Sequence, residues 1–481
     1  MFSCTAGDPT ETASGGCLCH RPEIHALTRR IGAGPSRRSF VAGAAATIGA
    51  LGLAKGARAQ GMQPPRAVLF INARLFDGSP ILRDGVHLLV EGSTIKALAA
   101  GTPATPEGAQ VIDCGGRVLM PGLIDAHWHA IFAALPIPVL MAADVGYIHL
   151  AAAAEAERTL MRGFTTVRDL GGPAFALKQS IDEGLLPGPR IFPSGAMITA
   201  AGGHGDLRPV SDLPAGAGQP RASEQTGGAI TANSPAEVRM RVREQLMQGA
   251  SQLKIVAGGG VSSPRSPLDA TTFSEAEMRA AVEAAADWGT YATAHAYAPE
   301  TVQRALAAGV ACIEHGHLMD ETTARMIADK GVWLSIQPFL GAEDSVPLTG
   351  PGFFKLQQVI AGTDKAYNLA KTHGIKTAFG SDMLFSPALT RRQGTMLTHL
   401  TRWYTPAQLL KMATATNGEL MALSTRRNPY PGKLGVLEAG ALADLLLVDG
   451  NPLDDASLIA NPDKNFLVIM KDGKIYKNTL T

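Results

Sequence analysis

LMPGLIDAHWHA, residues 119–130, is the stretch of sequence that decides the fold. It is an apolar run that ends on His127 and His129, and residues two positions apart in a β-strand point to the same face. Two imidazoles on one face of a strand end supply half of a metal site. On its own the pair is equally compatible with two ordinary polar residues, because His-x-His occurs by chance in long chains.

Four further polar residues occupy the same kind of position. Each comes at the C-terminal end of a separate short apolar run. They are Lys254 in QLKIVAGGG, His295 in TYATAHAY, His315 in ACIEHG and Asp382 in TAFGSDM. Their order along the chain favours the metal-site interpretation of the histidine pair.

These runs belong to a pattern of eight candidate strands between residues 121 and 430. Alternating strands and helices predict parallel strands with helices outside, and eight such units close into a (β/α)8 TIM barrel. The fold class is therefore α/β, with catalytic groups at the strand C-termini. The strands are GLIDAHWHA (122–130), TTVRDL (165–170), RIFPSG (190–195), QLKIVA (252–257), YATAHA (291–296), CIEHG (312–316), WLSIQP (333–338) and KTAFGSD (376–382).

Capping patterns predict three of the helices between these strands. Ser234-Pro235-Ala236-Glu237 places a capping serine, a proline at the first helical position and a glutamate three residues after the cap, and opens a helix through Met247. Ser274 with Glu277 repeats the capping box, and Thr405-Pro406-Ala407-Gln408 begins a third helix.

Both ends of the chain contribute to a second domain. Residues 66–98 and 443–478 contain short or alternating apolar runs broken by Asp-Gly and Glu-Gly, which are hairpin signals. We expect a small β-sandwich built from residues 61–120 and 431–481, flanking the barrel of residues 121–430.

Residues 1–59 have the pattern of a twin-arginine signal peptide. Arg37-Arg38 precedes a short apolar stretch that ends at Ala57-Arg58-Ala59 and is too short to span a membrane. We expect cleavage before Gln60 and a periplasmic or secreted protein, the alternative being an uncleaved N-terminal helix. Cleavage would remove Cys4, Cys17, Cys19 and His20. It would leave Cys114 and Cys312, which can form at most one disulfide.

The composition excludes nucleic acid as a partner. The chain has 481 residues, 46% of them hydrophobic, and a formal net charge of +1. A chain of this length can bury a large core in two or three domains, whereas its balanced charge provides no basic excess.

The six candidate residues are too many for one zinc ion, which takes three protein ligands and a water. Two divalent metals about 3.5 to 4 Å apart would use all six if an anion bridged them. Carboxylation of Lys254 by CO2 would provide that anion as a carbamate; the alternative is a lysine that pairs with a buried carboxylate. The metals would then activate a bridging water and polarise an amide carbonyl, and Asp382 would carry the water's proton to the leaving nitrogen.

The motif set resembles the amidohydrolase superfamily, in its binuclear branch with a carboxylated lysine on the fourth strand, over nearly all of the chain after residue 60. Within it the chain is similar to imidazolonepropionase-like and prolidase-like members, and most of all to ochratoxin-hydrolysing amidohydrolases. The motifs that carry the resemblance are GGHGD, KIVAGGGVSSPRSPLD, AHAYAPETVQRALAAG, IEHGH and GSD.

The resemblance implies a ligand set and a substrate class. His127, His129 and Asp382 would hold the first metal, His295 and His315 the second, and Lys254 would bridge them. Zinc is the default metal, although manganese or cobalt fits the same ligands. The substrate would be a small-molecule amide or dipeptide that loses its C-terminal amino acid, with ochratoxin A giving ochratoxin alpha and phenylalanine. The family also implies a homo-oligomer such as an octamer.

Two further residues are candidate substrate contacts. His204 heads a Gly-, Ala- and Pro-rich loop over residues 199–233, and Tyr297 follows His295 by two positions. The alternatives are a solvated loop histidine and a structural hydrogen bond. His317 competes with His315 as a ligand on strand geometry, but the Glu-His-Gly match favours His315. Arg168 and Asp169 are interpreted as a salt bridge at the barrel rim.

Two other functions fit the same barrel. One is a mononuclear deaminase or cyclic-amide hydrolase, which has no use for a lysine on the fourth strand. The other is a catalytically inactive scaffold that has lost its ligands, which disagrees with the presence of all six.

Overall fold

The computed structural model of the protein describes residues 67–101, 105–213, 224 and 226–480. The predicted signal peptide of residues 1–59, with its three cysteines, lies outside these residues. Among the helices that are described, none is long and apolar enough to cross a membrane.

The two ends of the chain meet in one mixed sheet of eight strands. Its order is β18-β17-β16-β5-β1-β2-β3, and β4 pairs with β1. The strands are β1 (Val68–Leu75), β2 (Arg83–Glu91), β3 (Thr94–Ala100), β4 (Gln110–Asp113), β5 (Val118–Pro121), β16 (Leu445–Val448), β17 (Phe466–Lys471) and β18 (Lys474–Asn478). The sequence correctly indicated a β unit made from both termini, but this single sheet does not confirm the predicted sandwich.

The hairpins of this sheet form where the sequence places its turn signals. Between β17 and β18, Asp472 and Gly473 have φ angles of 53° and 69°. Two consecutive positive φ angles make the tight turn whose twist matches that of the flanking strands, and Asp-Gly is a favoured pair for it. In β2, buried Val86, Leu88 and Val90 alternate with more exposed residues, as expected for a sheet with one face in the core.

The central part of the chain contains two parallel sheets. One has the order β6-β7-β8 and the other β10-β9-β11-β12-β13-β14-β15. Their strands are β6 (Leu123–Trp128), β7 (Phe164–Asp169), β8 (Arg190–Pro193), β9 (Met197–Thr199), β10 (Ala229–Thr231), β11 (Leu253–Val256), β12 (Ala292–Ala296), β13 (Cys312–His315), β14 (Trp333–Ile336) and β15 (Thr377–Phe379).

All eight predicted strands of the central region are present, and all of them pair in parallel. Within the described residues no ladder joins the two sheets, so they do not confirm a closed barrel. Single backbone hydrogen bonds run between them: Ser251 donates to Pro193 and Asp382 donates to His127, both over 2.8 Å. Strands β9 and β10 were not predicted: β9 ends at the first residue of the predicted loop 199–233, and β10 lies within that loop.

Helices follow most of these strands. They are α1 (Ile137–Ala142), α2 (Val145–Met161), α3 (Phe175–Asp182), α4 (Pro235–Met247), α5 (Glu275–Asp287), α6 (Pro299–Ala308), α7 (Glu321–Asp329), α8 (Gly350–Thr372), α9 (Pro387–Thr390), α10 (Gln393–His399), α11 (Pro406–Lys411), α12 (Asn417–Ala422) and α13 (Pro462–Asn465). The capping boxes at Ser274 and Thr405 are confirmed. At α4 the Ser234 hydroxyl accepts from the backbone N–H of Glu237, as predicted. The Glu237 carboxylate, however, accepts from the backbone N–H of Asn233, one residue before the cap, and not from that of Ser234.

The strands that carry the candidate ligands are buried along their whole length. Every residue of β6, β11, β12 and β13 is buried, as expected for parallel strands that are covered on both faces. Most of the candidate ligands lie at or just after the ends of these strands. The predicted strand-end position is wrong for Lys254, which is the second residue of β11. This arrangement brings distant parts of the chain to one cavity.

Candidate metal centre

The six candidate ligands and both candidate substrate contacts line one cavity of about 890 Å³, including its open mouth. His127 lies near the end of β6 with His129 just after it, Lys254 lies on β11, and Asp382 lies three residues after β15. His295 and His315 are at the ends of β12 and β13. The structure thus brings together all the residues that the sequence analysis selected.

Three of these residues form the tightest group. Nε2 of His127 and Nε2 of His129 lie 3.2 and 3.1 Å from Oδ1 of Asp382. One ligand atom from each residue lies within 4.8 Å of those of the other two. His127 and His129 are almost fully buried, whereas the Asp382 side chain is 17% exposed. Asp382 is therefore the member of this group that reaches the open cavity.

The other three residues adjoin this group. Nζ of Lys254 lies 3.4 Å from Nε2 of His127, and Nδ1 of His315 lies 4.0 Å from Oδ2 of Asp382. The ring centroids of His295 and His315 are 4.4 Å apart. Lys254 therefore lies beside the tight group, and His315 connects that group to His295.

Burial sets the protonation of the site. It lowers the pKa of His127 to about 4 and holds the pKa values of His295 and His315 well below their usual range. Burial also lowers the pKa of Lys254 to about 8, although Glu314 and Asp382 oppose this. Burial acts to raise the pKa of Asp382, but His127 and His129 outweigh it and lower that pKa. Burial thus keeps His127, His295 and His315 neutral, and the Asp382 carboxylate is ionised.

A buried ion pair orients His127. Oε2 of Glu314 lies 2.9 Å from Nδ1 of His127, and Nη2 of Arg168 donates to Oε1 of the same carboxylate over 2.6 Å. Thr293 also donates to this carboxylate. The predicted rim salt bridge between Arg168 and Asp169 is wrong: Arg168 points into the core toward Glu314, and Asp169 accepts from the backbone of Ala130 over 2.7 Å. Since neighbouring residues of a strand face opposite sides, the two could not share one contact surface.

A buried carboxylate joins the two strand ends of the tight group. Asp125 accepts hydrogen bonds from the backbones of His127 and Ser381, both over 3.0 Å. It also accepts from the Ser381 hydroxyl over 2.6 Å and from Nε2 of Gln393 over 2.9 Å. Because Ser381 directly precedes Asp382, this network fixes the spacing between the histidine pair and the aspartate.

The backbone of two candidate ligands is held in an unusual conformation. His315 and Asp382 have φ angles of 80° and 52°, a region that few residues with a side chain occupy. Gly380 allows the close approach that this requires, since a Cβ there would lie 2.4 Å from Cβ of His127. Backbone strain of this kind persists where the surrounding structure enforces it, and it often marks functional sites.

His204 lies against His295. Their rings stack with centroids 4.5 Å apart, and Nδ1 of His204 is 2.8 Å from the Ser263 hydroxyl. Burial lowers the pKa of His204 to about 4. The side chain is therefore an ordered neutral imidazole at the cavity wall, which disagrees with the alternative of a solvated loop histidine.

One buried lysine organises the loop that supports His204. Nζ of Lys355, on α8, donates to the backbone oxygens of Gly260, Ser263 and Ser266 over 2.7, 2.6 and 3.0 Å. Nε2 of His295 donates to the backbone oxygen of Gly259, in the same loop, over 2.8 Å. Lys355 thus fixes a segment that contacts both histidines.

Tyr297 and His317 occupy the neighbouring positions. Tyr297 is buried and stacks on His315 with ring centroids 4.7 Å apart. Nε2 of His317 donates to the backbone oxygen of Gln337 over 2.9 Å, and its ring lies 5.6 Å from that of Phe339. His315, rather than His317, faces the cavity, in agreement with the Glu-His-Gly match.

The donor set fits divalent metals. Neutral imidazole nitrogens and a carboxylate are ligands that zinc prefers. Nδ1 of His129 donates to the oxygen of Gly171 over 3.3 Å, which leaves Nε2 free toward Asp382. Nδ1 of His127 lies 2.9 Å from the Glu314 carboxylate and 3.4 Å from Nε2 of Gln337, and its Nε2 is turned toward Asp382. Such a partner on the second ring nitrogen is typical of metal-binding histidines.

Sequence reasoning missed Asp125, Glu314 and Lys355. Glu314 stands in the same short motif as His315, so a glutamate directly before a ligand was an available signal. Lys355 gave no signal, because it lies in the middle of a long helix and acts on a loop about 90 residues earlier.

Comparisons with known proteins agree with this geometry. The sequence profile of the amidohydrolase family matches residues 118–476. Ochratoxinase from Aspergillus niger is 28% identical over 383 residues, which are 75% of this chain and 76% of that protein. Two crystal structures, one of an amidohydrolase and one of a prolidase complexed with N-methylphosphonate-L-proline, are 35% and 31% identical. Each has a TM-score of 0.79 and covers 86% of this chain and 100% of its own.

Proposed function

Because the chain belongs to the amidohydrolase family and is a hydrolase that acts on C–N bonds, we propose that it removes the C-terminal amino acid from N-acyl amino acids or dipeptides. Ochratoxin A, which would give ochratoxin alpha and phenylalanine, is one such substrate. The observation that carries this proposal is the cavity that the six candidate ligands line together with His204 and Tyr297.

Two divalent ions, zinc by default, would occupy the site. His127, His129 and Asp382 would hold one ion and His295 and His315 the other, with carboxylated Lys254 shared between them. When bound, such ions polarise a carbonyl and lower the pKa of a water. The position of Lys254 supports the carbamate, since a buried amine whose pKa is lowered to about 8 is partly neutral near pH 7 and able to react with CO2.

Asp382 is suited to move the proton. Its carboxylate stays ionised because of His127 and His129, and it is the most exposed member of the tight group. It would accept a proton from the attacking water and deliver it to the nitrogen of the leaving amino acid, which needs that proton to depart as a neutral amine.

His204 and Tyr297 are placed to recognise the leaving amino acid. Both line the cavity on the side of His295 and His315. The α-carboxylate of the amino acid would accept a hydrogen bond from the ring N–H of His204 and one from the Tyr297 hydroxyl. This requirement for a free carboxylate separates an N-acyl amino acid hydrolase from a cyclic-amide hydrolase.

We also infer that the three-stranded and seven-stranded sheets are parts of one (β/α)8 barrel. The hydrogen bonds from Asp382 to His127 and from Ser251 to Pro193 support this, as does the family assignment. The terminal sheet would be the flanking β domain, and the whole would assemble as a homo-oligomer and be exported by the twin-arginine route.

The function can be tested with matched substrate pairs. The chain, loaded with zinc, is assayed on N-acyl amino acids and on their methyl esters, with release of the amino acid as the readout. We expect hydrolysis of the free acids, and turnover of the esters that is lower by about 10-fold or more. Equal turnover of acid and ester, or hydrolysis of cyclic amides only, would contradict the proposal.

A further inference from the structure

A second cavity of about 610 Å³, including its open mouth and here called the side cavity, adjoins the metal cavity. We propose that the side cavity is the subsite for the acyl group and that it takes planar aromatic or bulky branched apolar groups. This inference rests on the proposed function, and it adds the substrate class that the ligand set alone does not define.

The two cavities are contiguous. Four side chains line both of them and therefore stand at the boundary: Ile137, Met197, Leu207 and Phe385. One of these four is a methionine, whose unbranched side chain adapts its shape to irregular partners. A group that enters from the metal cavity meets a side chain that can yield.

The chemistry of the side cavity is apolar. Phe132, Leu140 and Ile148 are among its walls, and His149 and Thr226 are its polar side chains. The His149 ring donates to the backbone of Val145 over 2.9 Å, so it has a partner within its own helix. These walls offer an acyl group apolar side chains and an aromatic face rather than polar partners.

The site has one polar and one apolar end. His204 stacks on His295, whereas Phe132 lies against His129 with centroids 6.3 Å apart and against Phe385 with centroids 6.2 Å apart. Of the described residues, neither His204 nor any of the six candidate ligands lines the side cavity. A substrate whose carboxylate faces His204 would therefore direct its acyl group toward Phe132 and the side cavity.

Leu140→Trp provides the test, since Leu140 lines the side cavity but not the metal cavity. Its matched control is Leu150→Trp, the same substitution at a 73% exposed residue of α2 that lines neither cavity. The measurement is the ratio of kcat/KM for N-(1-naphthoyl)-L-phenylalanine to that for N-acetyl-L-phenylalanine. We expect this ratio to fall at least tenfold in Leu140→Trp and to stay unchanged in Leu150→Trp.

An unchanged ratio in a folded Leu140→Trp variant would overturn the proposal, and so would an equal loss on both substrates. If tryptophan prevents folding, Leu140→Ala enlarges the side cavity instead and should raise the ratio, and no change in it would be equally decisive against the subsite.

A binding measurement separates this proposal from the proposed function. Fluorescence of N-phenyl-1-naphthylamine should report binding to the wild type and to Leu150→Trp, and loss of binding in Leu140→Trp. This result would support the side cavity as a binding site for aromatic groups, whether or not the wild type hydrolyses N-acyl amino acids. If the wild type bound the probe but hydrolysed no N-acyl amino acid, only the proposed function would fail. Equal binding by all three proteins would overturn the subsite.

Discussion

The carboxylate of Glu314 lies 2.9 Å from Nδ1 of His127. Because that carboxylate also accepts from Arg168 in the core, its position is fixed before any metal binds. His127 is thereby held with Nε2 toward Asp382 and Lys254. A metal that binds at this nitrogen meets a ligand whose orientation and tautomer are already set.

Glu314→Gln should weaken both metal binding and folding. The amide is a poorer acceptor for His127, and losing such a partner typically lowers metal affinity by about 10- to 100-fold. It also leaves Arg168 buried without its counter-charge, which costs about 3 to 5 kcal/mol of stability. Competition with a chelator measures the affinity, and denaturant unfolding measures the stability.

The double variant Arg168→Met/Glu314→Gln distinguishes the two effects. Without a buried unpaired guanidinium, much of the stability should return, whereas the metal affinity should stay low because His127 still lacks its carboxylate. A Glu314→Gln protein that binds zinc as tightly as wild type would show that Glu314 serves the core alone.

Lys254→Ala should lose most activity and at least one metal ion per chain. The carbamate would be the anion shared by both ions, and without it like charges face each other across the site. Short-chain carboxylates such as propionate should restore part of the activity by occupying the vacated space. Lys365→Ala is the matched control, since Lys365 is exposed on α8. Full metal content in Lys254→Ala would refute the bridging role.

The positions of the candidate ligands around one cavity were predictable because they depend on local sequence. In a buried parallel strand nearly every residue is apolar, so a histidine, lysine or aspartate at the end of such a run is conspicuous. The ends of β6, β12 and β13 all carried this signal. Even the choice between His315 and His317 followed from a three-residue match.

The supporting contacts were not predictable, because they join residues far apart in sequence. Asp125 connects β6 to the Ser381 backbone 256 residues later, and Arg168 meets Glu314 across 146 residues. Nothing in the local sequence shows which distant partner each of these buried charges meets. The short strands β9 and β10 were missed for a related reason, since three residues are too few to show periodicity.

Lys355→Met should loosen the loop that supports His204 and His295. Three backbone oxygens would lose their donor, and each buried acceptor left unsatisfied costs about 1 to 3 kcal/mol. We expect faster amide hydrogen exchange over residues 258–271 and a higher KM with a smaller effect on kcat. Lys365→Met, an exposed lysine on the same helix, is the control. Unchanged exchange in the loop would contradict this role for Lys355.

His204→Ala tests the recognition of the substrate carboxylate. The ring stacks on His295 and is held by Ser263, so it is already positioned when substrate arrives and little entropy is lost on binding. A hydrogen bond to a charged group contributes about 1.5 to 3 kcal/mol, so kcat/KM for an N-acyl amino acid should fall about 10- to 100-fold in the variant. Methyl esterification of the substrate should lower kcat/KM of the wild type by a similar factor and leave kcat/KM of the variant almost unchanged. The reason is that esterification and the substitution remove the same contact. If the ester and the variant instead reduce kcat/KM independently, so that their effects multiply, then His204 acts on another part of the substrate and the carboxylate is bound elsewhere.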